Sequence, residues 1–151
     1  MRTFSIGVIL GVAITVVVAT GLGAQRMTSP TLAYASGATV AAALREIPGN
    51  GFRPVVQLDP YSVLAEHRTV PQDLQAPAPV HKGEAELYYV MDGAATLVTG
   101  RTPDQSYGGA TQRISKGDVL IIPEDTPHWL SAIEGSISYV SMHMPRSSSI
   151  K

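Results

Sequence analysis

Two stretches of the chain place metal-ligating side chains beside apolar, β-rich runs. The first is HKGEAELYYVMDG, residues 81–93, and the second is KGDVLIIPEDTPH, residues 116–128. Two imidazoles and one carboxylate, from His81, Glu86 and His128, would suit iron(II), manganese, nickel, zinc or copper if they converged. A cation held by three protein groups keeps positions for water, oxygen or a chelating small molecule. These residues are therefore candidate ligands of a divalent transition metal.

The first stretch resembles the first signature motif of the cupins, a family of small β-barrels. In that motif a glutamate is followed, after six residues, by a glycine, and Glu86 and Gly93 keep this spacing. The motif's histidines normally form a His-x-His pair before the glutamate. His81 matches the second of these histidines, whereas Pro79 occupies the position of the first.

The second stretch is similar to the second cupin motif and is the more specific match. That motif has a glycine, a proline, a further glycine and a histidine at fixed spacing. Gly117, Pro123 and His128 fall in register with it. Asp125 stands where the second glycine is usual, and Ala132 stands where an asparagine usually follows. The resemblance covers roughly residues 50–145.

The resemblance implies an all-β fold, the cupin-type double-stranded β-helix or jelly-roll barrel. Within the family, the chain looks like a group of small exported bacterial cupins of unassigned activity. It implies a metal-dependent dioxygenase, isomerase or related enzyme whose small-molecule substrate binds the metal. One alternative is a non-catalytic module that captures a small ligand or a metal, and another is a structural barrel whose site has decayed. Because cupins are commonly dimers, a homodimer is expected.

Composition narrows the class of partner. The 11 basic and 12 acidic residues leave a net charge of only −1, so nothing favours binding to nucleic acid. The chain has no cysteine, and burial of a core or a partner, rather than disulfides, must therefore stabilise it.

The first 24 residues predict export. Residues 4–24 form an uncharged, mostly apolar run behind Arg2, and small residues precede Gln25 and Arg26. This pattern is typical of a secretory signal peptide. The run is also long enough, since roughly 20 apolar residues suffice, to remain as a membrane anchor. Both alternatives predict a periplasmic or secreted protein, and the second predicts anchoring in the inner membrane.

The remaining chain divides into a linker with a short helix (25–50), a barrel (51–145) and a flexible tail (146–151). Alanine and leucine between residues 36 and 47 favour the helix, which a Pro-Gly pair ends. Short strand candidates follow, separated by turn residues. Asp92-Gly93 and Glu134-Gly135 each lie between two strand-like runs. Both pairs therefore predict tight hairpins.

A fourth candidate ligand follows from the second of these hairpins. If residues 134–135 form a two-residue turn, His128 pairs with Ser141 on the returning strand. His143 then lies on the same face as His128 and diagonal to it, because side chains alternate along a strand. His143 is therefore predicted to bind the metal or to orient a ligand.

Periodicity does not decide which way Glu86 points, because both faces of the strand at 87–91 are apolar. A carboxylate inside a barrel costs on the order of several kcal/mol unless it is paired or metal-bound. A cation shared with His81 and His128 would meet that need, and the cupin resemblance favours the inward direction. Glu84, two residues earlier on the same face, is expected to be a charge at the rim.

Overall fold

A computed structural model gives the fold and describes residues 32–71, 78–101 and 108–146. One helix and six strands follow in order: α1 Gly37–Arg45, β1 Gly51–Leu58, β2 Tyr61–Arg68, β3 Glu84–Thr99, β4 Ala110–Ser115, β5 Val119–Ile122 and β6 His128–Pro145. The predicted signal peptide or anchor at 1–24, and residues 147–151 of the predicted tail at 146–151, lie outside the described residues. Within the described ranges, no helix is long and apolar enough to cross a membrane.

The helix α1 begins where its first turn is capped. Ser36 is the N-cap, and its side-chain oxygen accepts the backbone N–H of Thr39 at 3.1 Å. The helix ends at Arg45, two residues earlier than the pattern of apolar residues predicts. Ile47, just beyond its end, is buried and packs close to Gly51, which joins the helical region to the first strand.

The strands form one antiparallel sheet in the order β1-β2-β6-β3-β4, and β5 also pairs with β3. The two longest strands, β3 and β6, run side by side for most of their length. The first half of β3 pairs with β5, and its second half pairs with β4. Because both long strands take part in the two halves of the sheet, the sheet bends over itself and encloses an apolar interior.

The two predicted hairpins are wrong. Asp92 and Gly93 lie inside β3, and Glu134 and Gly135 lie inside β6, so each long strand continues through the pair. Both glycines have positive φ, 77° and 76°. The β3–β6 register shifts here: Ala95 pairs with a residue on one side of the 134–136 segment and Gly93 with a residue on the other. A Gly-containing pair with positive φ serves a β-bulge as readily as a turn.

Gly93 is required at the bend of β3 because β6 passes close to it. A side-chain carbon built at this position would lie 1.9 Å from the backbone oxygen of Ser136, so only glycine fits there. A tight turn forms at Lys116–Asp118, where the backbone N–H of Asp118 donates to the Ser115 carbonyl at 3.0 Å. This turn joins β4 to β5, which pair with different halves of β3.

The main core lies between the two halves of the bent sheet. Its buried members share the inward face of their strands and are Tyr88, Val90, Ala95, Leu97, Ile114, Ile122, Leu130, Ile137 and Tyr139. A smaller buried cluster, outside this core, contains Trp129 with Ala78 and Val98. Trp129 thus packs apart from the main core, against Ala78 in the loop before β3.

Candidate metal centre

The side chain of Glu86 is the centre of the candidate site. It is buried, with 3% of its surface exposed. Three imidazole Nε2 atoms surround its carboxylate: His128 at 3.1 Å and His81 at 3.3 Å from Oε2, and His143 at 3.4 Å from Oε1. The structure therefore brings together the four side chains that the sequence singled out.

Three different parts of the fold deliver these side chains. Glu86 on β3 and His143 on β6 are direct partners in the antiparallel register, so they share one face of the sheet. His128 begins β6 and pairs with Thr99, in the other half of the bent sheet. It does not pair with Ser141, as the predicted hairpin required. His128 reaches Glu86 only because the sheet folds over, and His143 lies in the same cluster although the register that predicted it is wrong.

His81 lies in the loop before β3, and this loop is held by Asp125. The Asp125 carboxylate accepts the backbone N–H of Gly83 at 3.1 Å. The backbone N–H of Asp125 donates to the carbonyl of His81 at 3.1 Å. Asp125 has a φ of 58°, in the left-handed region that aspartate tolerates better than most residues. Its replacement of the motif glycine therefore preserves the backbone shape and adds a hydrogen bond that positions His81.

Two of the imidazoles are oriented through their second nitrogen. His128 Nδ1 lies 3.0 Å from the carbonyl of Thr126, which can only accept, so Nδ1 carries a proton. His143 Nδ1 lies 3.2 Å from a carboxylate oxygen of Glu84. In both cases Nε2 is left facing Glu86. A ring nitrogen held by a carbonyl or carboxylate is the usual arrangement behind a metal-binding histidine. Glu84 is thus a partner of His143.

Burial and the attraction between Glu86 and the imidazoles have opposite effects on the pKa values in the cluster. Burial alone would raise the pKa of Glu86, but the hydrogen bond from His128 and the charges of the imidazoles lower it below its ordinary value. Burial would lower the pKa of His128, but its bonds to Glu86 and to the Thr126 carbonyl raise it. Burial lowers the pKa of His81, and the other two imidazoles add to this effect. Positive charge in this cluster is therefore favoured by Glu86.

The donor set fits a divalent transition metal. Ligand atoms of His81, Glu86 and His128 lie within 4.8 Å of one another, and so do those of His81, Glu84 and His143. Imidazole nitrogen with carboxylate oxygen suits iron, manganese, nickel, copper and zinc. A buried carboxylate facing three imidazoles also meets the charge requirement of a cation. His67, the remaining histidine, lies apart, with Nδ1 2.8 Å from Ser138 Oγ.

A cavity of about 510 Å³ opens beside this cluster. The candidate ligands His81, Glu86, His128 and His143 contribute to its wall, and its other lining residues are Asn50, Phe52, Leu64, Glu66, Arg68, Val70, Pro79, Tyr88, Trp129, Leu130 and Tyr139. The cavity lies within the range of about 300–1,000 Å³ that is typical of small-molecule sites. Glu66 and Arg68 could not be recognised as cavity residues from sequence, because a Glu-His-Arg triplet in a short strand is typical of an exposed edge.

The profile of the cupin family, described as "Cupin domain", matches residues 66–140. The chain belongs to the cupin family. No curated protein shows significant sequence similarity to it. Among solved structures, protein BH2720 of Bacillus halodurans is 14% identical, with a TM-score of 0.59 over 80% of this chain and 85% of that chain. The TT1209 protein of Thermus thermophilus is 17% identical, with a TM-score of 0.56 over 71% of this chain and 94% of that chain.

A third solved structure, FeII HppE, is 14% identical and has a TM-score of 0.51 over 62% of this chain and 48% of that chain. These likenesses establish the cupin-type, all-β jelly-roll fold that the two motifs implied. This cupin departs from the first motif at Pro79, whose backbone carbonyl accepts the N–H of His128 at 3.2 Å. His143 supplies a third imidazole to the cluster from the far end of β6.

Proposed function

We propose that this cupin binds a divalent transition metal through His81, Glu86, His128 and His143 and acts on a small molecule beside it. The observation that carries the proposal is the convergence of three imidazole Nε2 atoms, at 3.1–3.4 Å, on one buried carboxylate. A structural role alone would need one partner for Glu86, and a salt bridge to arginine would satisfy it. Imidazoles, unlike arginine, can be neutral and donate a nitrogen lone pair to a metal. Three imidazoles around one carboxylate therefore form a set of metal ligands.

A bound metal would supply Lewis-acid polarisation of a substrate oxygen, or oxygen activation if it is redox-active. The chain's own residues hold the ligands in place: Thr126 orients His128, and Glu84 orients His143. Tyr88 donates a hydrogen bond to Glu86 at 3.4 Å. The metal remains to be chosen among iron, manganese, nickel, zinc and copper, and the iron of FeII HppE makes iron(II) the first to test.

Metal content is the first test. The full chain, purified without chelators, is expected to contain close to one equivalent of a transition metal by inductively coupled plasma mass spectrometry. His128→Ala should lose most of that metal, whereas Glu134→Gln, in an exposed ion pair with Arg113, should retain it. A wild-type protein that stays metal-free after incubation with each of the five metals would refute the proposal.

The protein can act on its small molecule in two ways: it can be an enzyme, or it can bind the molecule without changing it. Dioxygenase activity predicts oxygen uptake by the metal-loaded protein with members of a panel of catechols and keto acids. Isomerase activity predicts a changed substrate without oxygen uptake. Binding that releases every panel member unchanged would favour a ligand-binding module. An enzyme is the form that we propose, because the cavity holds a further acidic side chain, Glu66, that capture of a metal does not need.

We also propose that a second copy of the chain covers the outer face of the sheet. Side by side across β5, β3, β6, β2 and β1 lie Ile121, Leu87, Met142, Val63 and Val56. Ile121 is 61% exposed, and the other four side chains are half-buried. A contiguous row of apolar side chains that solvent still reaches is typical of a subunit interface. Light scattering is expected to give a dimer, and Ile121→Lys a monomer; a monomeric wild type would contradict the homodimer.

Export, with a periplasmic or secreted destination, remains a proposal that rests on residues 1–24 alone. N-terminal sequencing of the mature protein from the producing cell distinguishes its two forms. A chain that starts near Gln25 indicates a cleaved signal peptide, and an intact Met1 in the membrane fraction indicates an inner-membrane anchor. A full-length chain in the cytoplasm would contradict both.

A further inference from the structure

A second buried carboxylate lines the cavity, apart from the candidate metal ligands. Glu66 on β2 is 6% exposed. It is paired with Tyr139 of β6, whereas Glu86 stands on β3, on the other side of β6. The cavity therefore carries acidic side chains from strands on both sides of β6. A buried acid is costly and is kept only where its neighbours compensate for it or where its chemistry is used.

The neighbours of Glu66 hold its carboxylate in one position. Arg68 Nη2 donates to Oε2 at 2.7 Å, and the hydroxyl of Tyr139 donates to the same oxygen at 3.1 Å. The hydroxyl of Ser141 donates to Oε1. An ionised carboxylate accepts about four hydrogen bonds. Oε1 can therefore accept one more partner, and the cavity is the space from which that partner can come.

Burial and the charged and hydrogen-bonding groups around Glu66 shift the pKa of its carboxyl group. Burial raises the pKa of Glu66 above its ordinary value, and the negative charge of Glu86 raises it further. The hydrogen bonds from Ser141 and Tyr139 and the positive charge of Arg68 act in the opposite direction. Tyr88 of β3 packs against Tyr139 with a ring-centroid distance of 4.5 Å. The net upward shift moves this acid towards the pH range in which a carboxylate can both accept and return a proton.

The wall of the cavity combines two kinds of chemistry. The imidazoles around Glu86 form the part where a cation would attract a substrate oxygen, and Glu66 adds a second carboxylate to the same wall, with Phe52, Leu64 and Leu130 as apolar lining. Tyr88 and Tyr139 lie between the two acids, because Tyr88 donates to Glu86 and packs against Tyr139, which donates to Glu66. An electrophilic site and a carboxylate in one cavity are what removal of a proton next to a carbonyl group requires.

We propose that Glu66 is the proton-transfer residue of this cavity and that the substrate is a small carbonyl compound with an acidic C–H next to the carbonyl carbon. The inference rests on the proposed function, because it uses the cation site beside Glu86 to hold the carbonyl oxygen. The C–H bond breaks, the proton moves to Oε1 of Glu66, and the C–H electron pair forms the C=C bond of an enolate while the π pair of the carbonyl group moves to its oxygen. Glu66 then returns the proton to the same carbon, and the C=O bond forms again. The step is redox-neutral and needs no co-reactant.

Exchange of the substrate's C–H for C–D in D2O tests this role. The full chain is loaded with zinc, which is diamagnetic, and incubated in turn with pyruvate, hydroxyacetone and 2-oxoglutarate, while proton NMR follows the loss of the signal from the acidic C–H. Wild type should exchange at least one compound above the rate of free zinc. Glu66→Gln, close in size to the protonated acid, should lower that rate at least about 100-fold, the lower end of the usual contribution of a general base. Zinc content and thermal unfolding of both proteins are measured in parallel.

Two further variants separate a catalytic role from a structural one. Glu66→Asp keeps a carboxylate and should retain part of the exchange and its rise with pH, which Glu66→Gln should abolish. Ser141→Ala removes a hydrogen bond that favours the charged form, so the rise should move to higher pH. Glu134→Gln, on the exposed surface, should leave both the rate and its pH dependence unchanged.

The outcomes distinguish this inference from the proposed function. A wild type that binds none of the five candidate metals contradicts the cation site. A wild type that binds zinc but exchanges none of the three compounds contradicts the role of Glu66 and leaves the cation site standing. Exchange that persists in zinc-loaded Glu66→Gln overturns the inference directly. If Glu66→Gln does not fold, full exchange by a folded Glu66→Asp without any pH-dependent rise overturns it instead.

Discussion

Replacing Glu86 by glutamine is the sharpest test of the candidate metal centre. The substitution keeps the size of the side chain and removes the negative charge that three imidazoles face at 3.1–3.4 Å. At such distances, with an effective dielectric constant of about 20, two unit charges attract each other by about 5 kcal/mol. Removing one partner of a buried pair costs about 3–5 kcal/mol. At about 1.4 kcal/mol per tenfold change, the dissociation constant for zinc should rise about 10²- to 10⁴-fold.

The assay is competition for Zn²⁺ against a chromophoric chelator at a fixed pH near 7.5, so that protonation of the histidines is held constant. Glu134→Gln is the matched control, because it makes the same chemical change at an exposed position away from the cluster. Circular dichroism of each metal-free variant shows whether the fold is kept. A folded Glu86→Gln that binds zinc within about threefold of wild type would refute the argument, since the buried charge would then contribute almost nothing.

Three further predictions concern residues around the centre and at the bend of the sheet. Glu84→Gln should weaken zinc binding by about 10- to 100-fold in the same competition assay, because its carboxylate orients His143; unchanged affinity would show a simple surface charge. Gly93→Ala should lower the free energy of unfolding by at least about 2 kcal/mol in denaturant titrations, because the added carbon meets backbone at 1.9 Å. The control Gly117→Ala, which also has positive φ but open space, should cost about 1–2 kcal/mol, and equal losses would refute the close-contact argument. In wild type the pKa of Glu66 is higher in the folded state than its ordinary value of 4.5, so wild type loses stability as pH rises from 4.5 through the folded-state pKa. Glu66→Gln has no such group and should therefore become more stable relative to wild type over that pH range. Thermal unfolding between pH 4 and 8 checks this, and a difference that does not vary with pH would contradict it.

Three of the four candidate ligands, His81, Glu86 and His128, could be found from sequence because two local motifs carry them. Glu86 with Gly93, and Gly117 with His128, keep spacings that depend only on short-range backbone geometry. The departure at Asp125 could not be judged in the same way. Only the structure shows that its backbone takes the left-handed conformation and that its carboxylate holds the loop of His81.

The hairpin predictions were wrong because an Asp-Gly or Glu-Gly pair indicates only a local positive φ. It carries no information about which strand pairs with that part of the chain. Gly93 and Gly135 lie at bulges within β3 and β6, which pair with each other along most of their length. The length of a strand that continues through a bulge is decided by long-range pairing. Glu66 was missed for a related reason, since a charged triplet in a strand is exposed unless another strand covers it.

The sequence by itself determined which side chains can bind a metal and the β-rich class of the barrel, because these depend on residue type and on spacing within a few positions. The tertiary structure decided that Glu86 points inward and that His128 and His143 both meet it. It also placed Glu66 in the same cavity. These contacts join residues far apart in the chain, and they form because a bent sheet buries one face of each strand. Burial then raises the pKa of Glu66, and the imidazoles lower the pKa of Glu86 against the effect of its burial, which no local pattern of residues encodes.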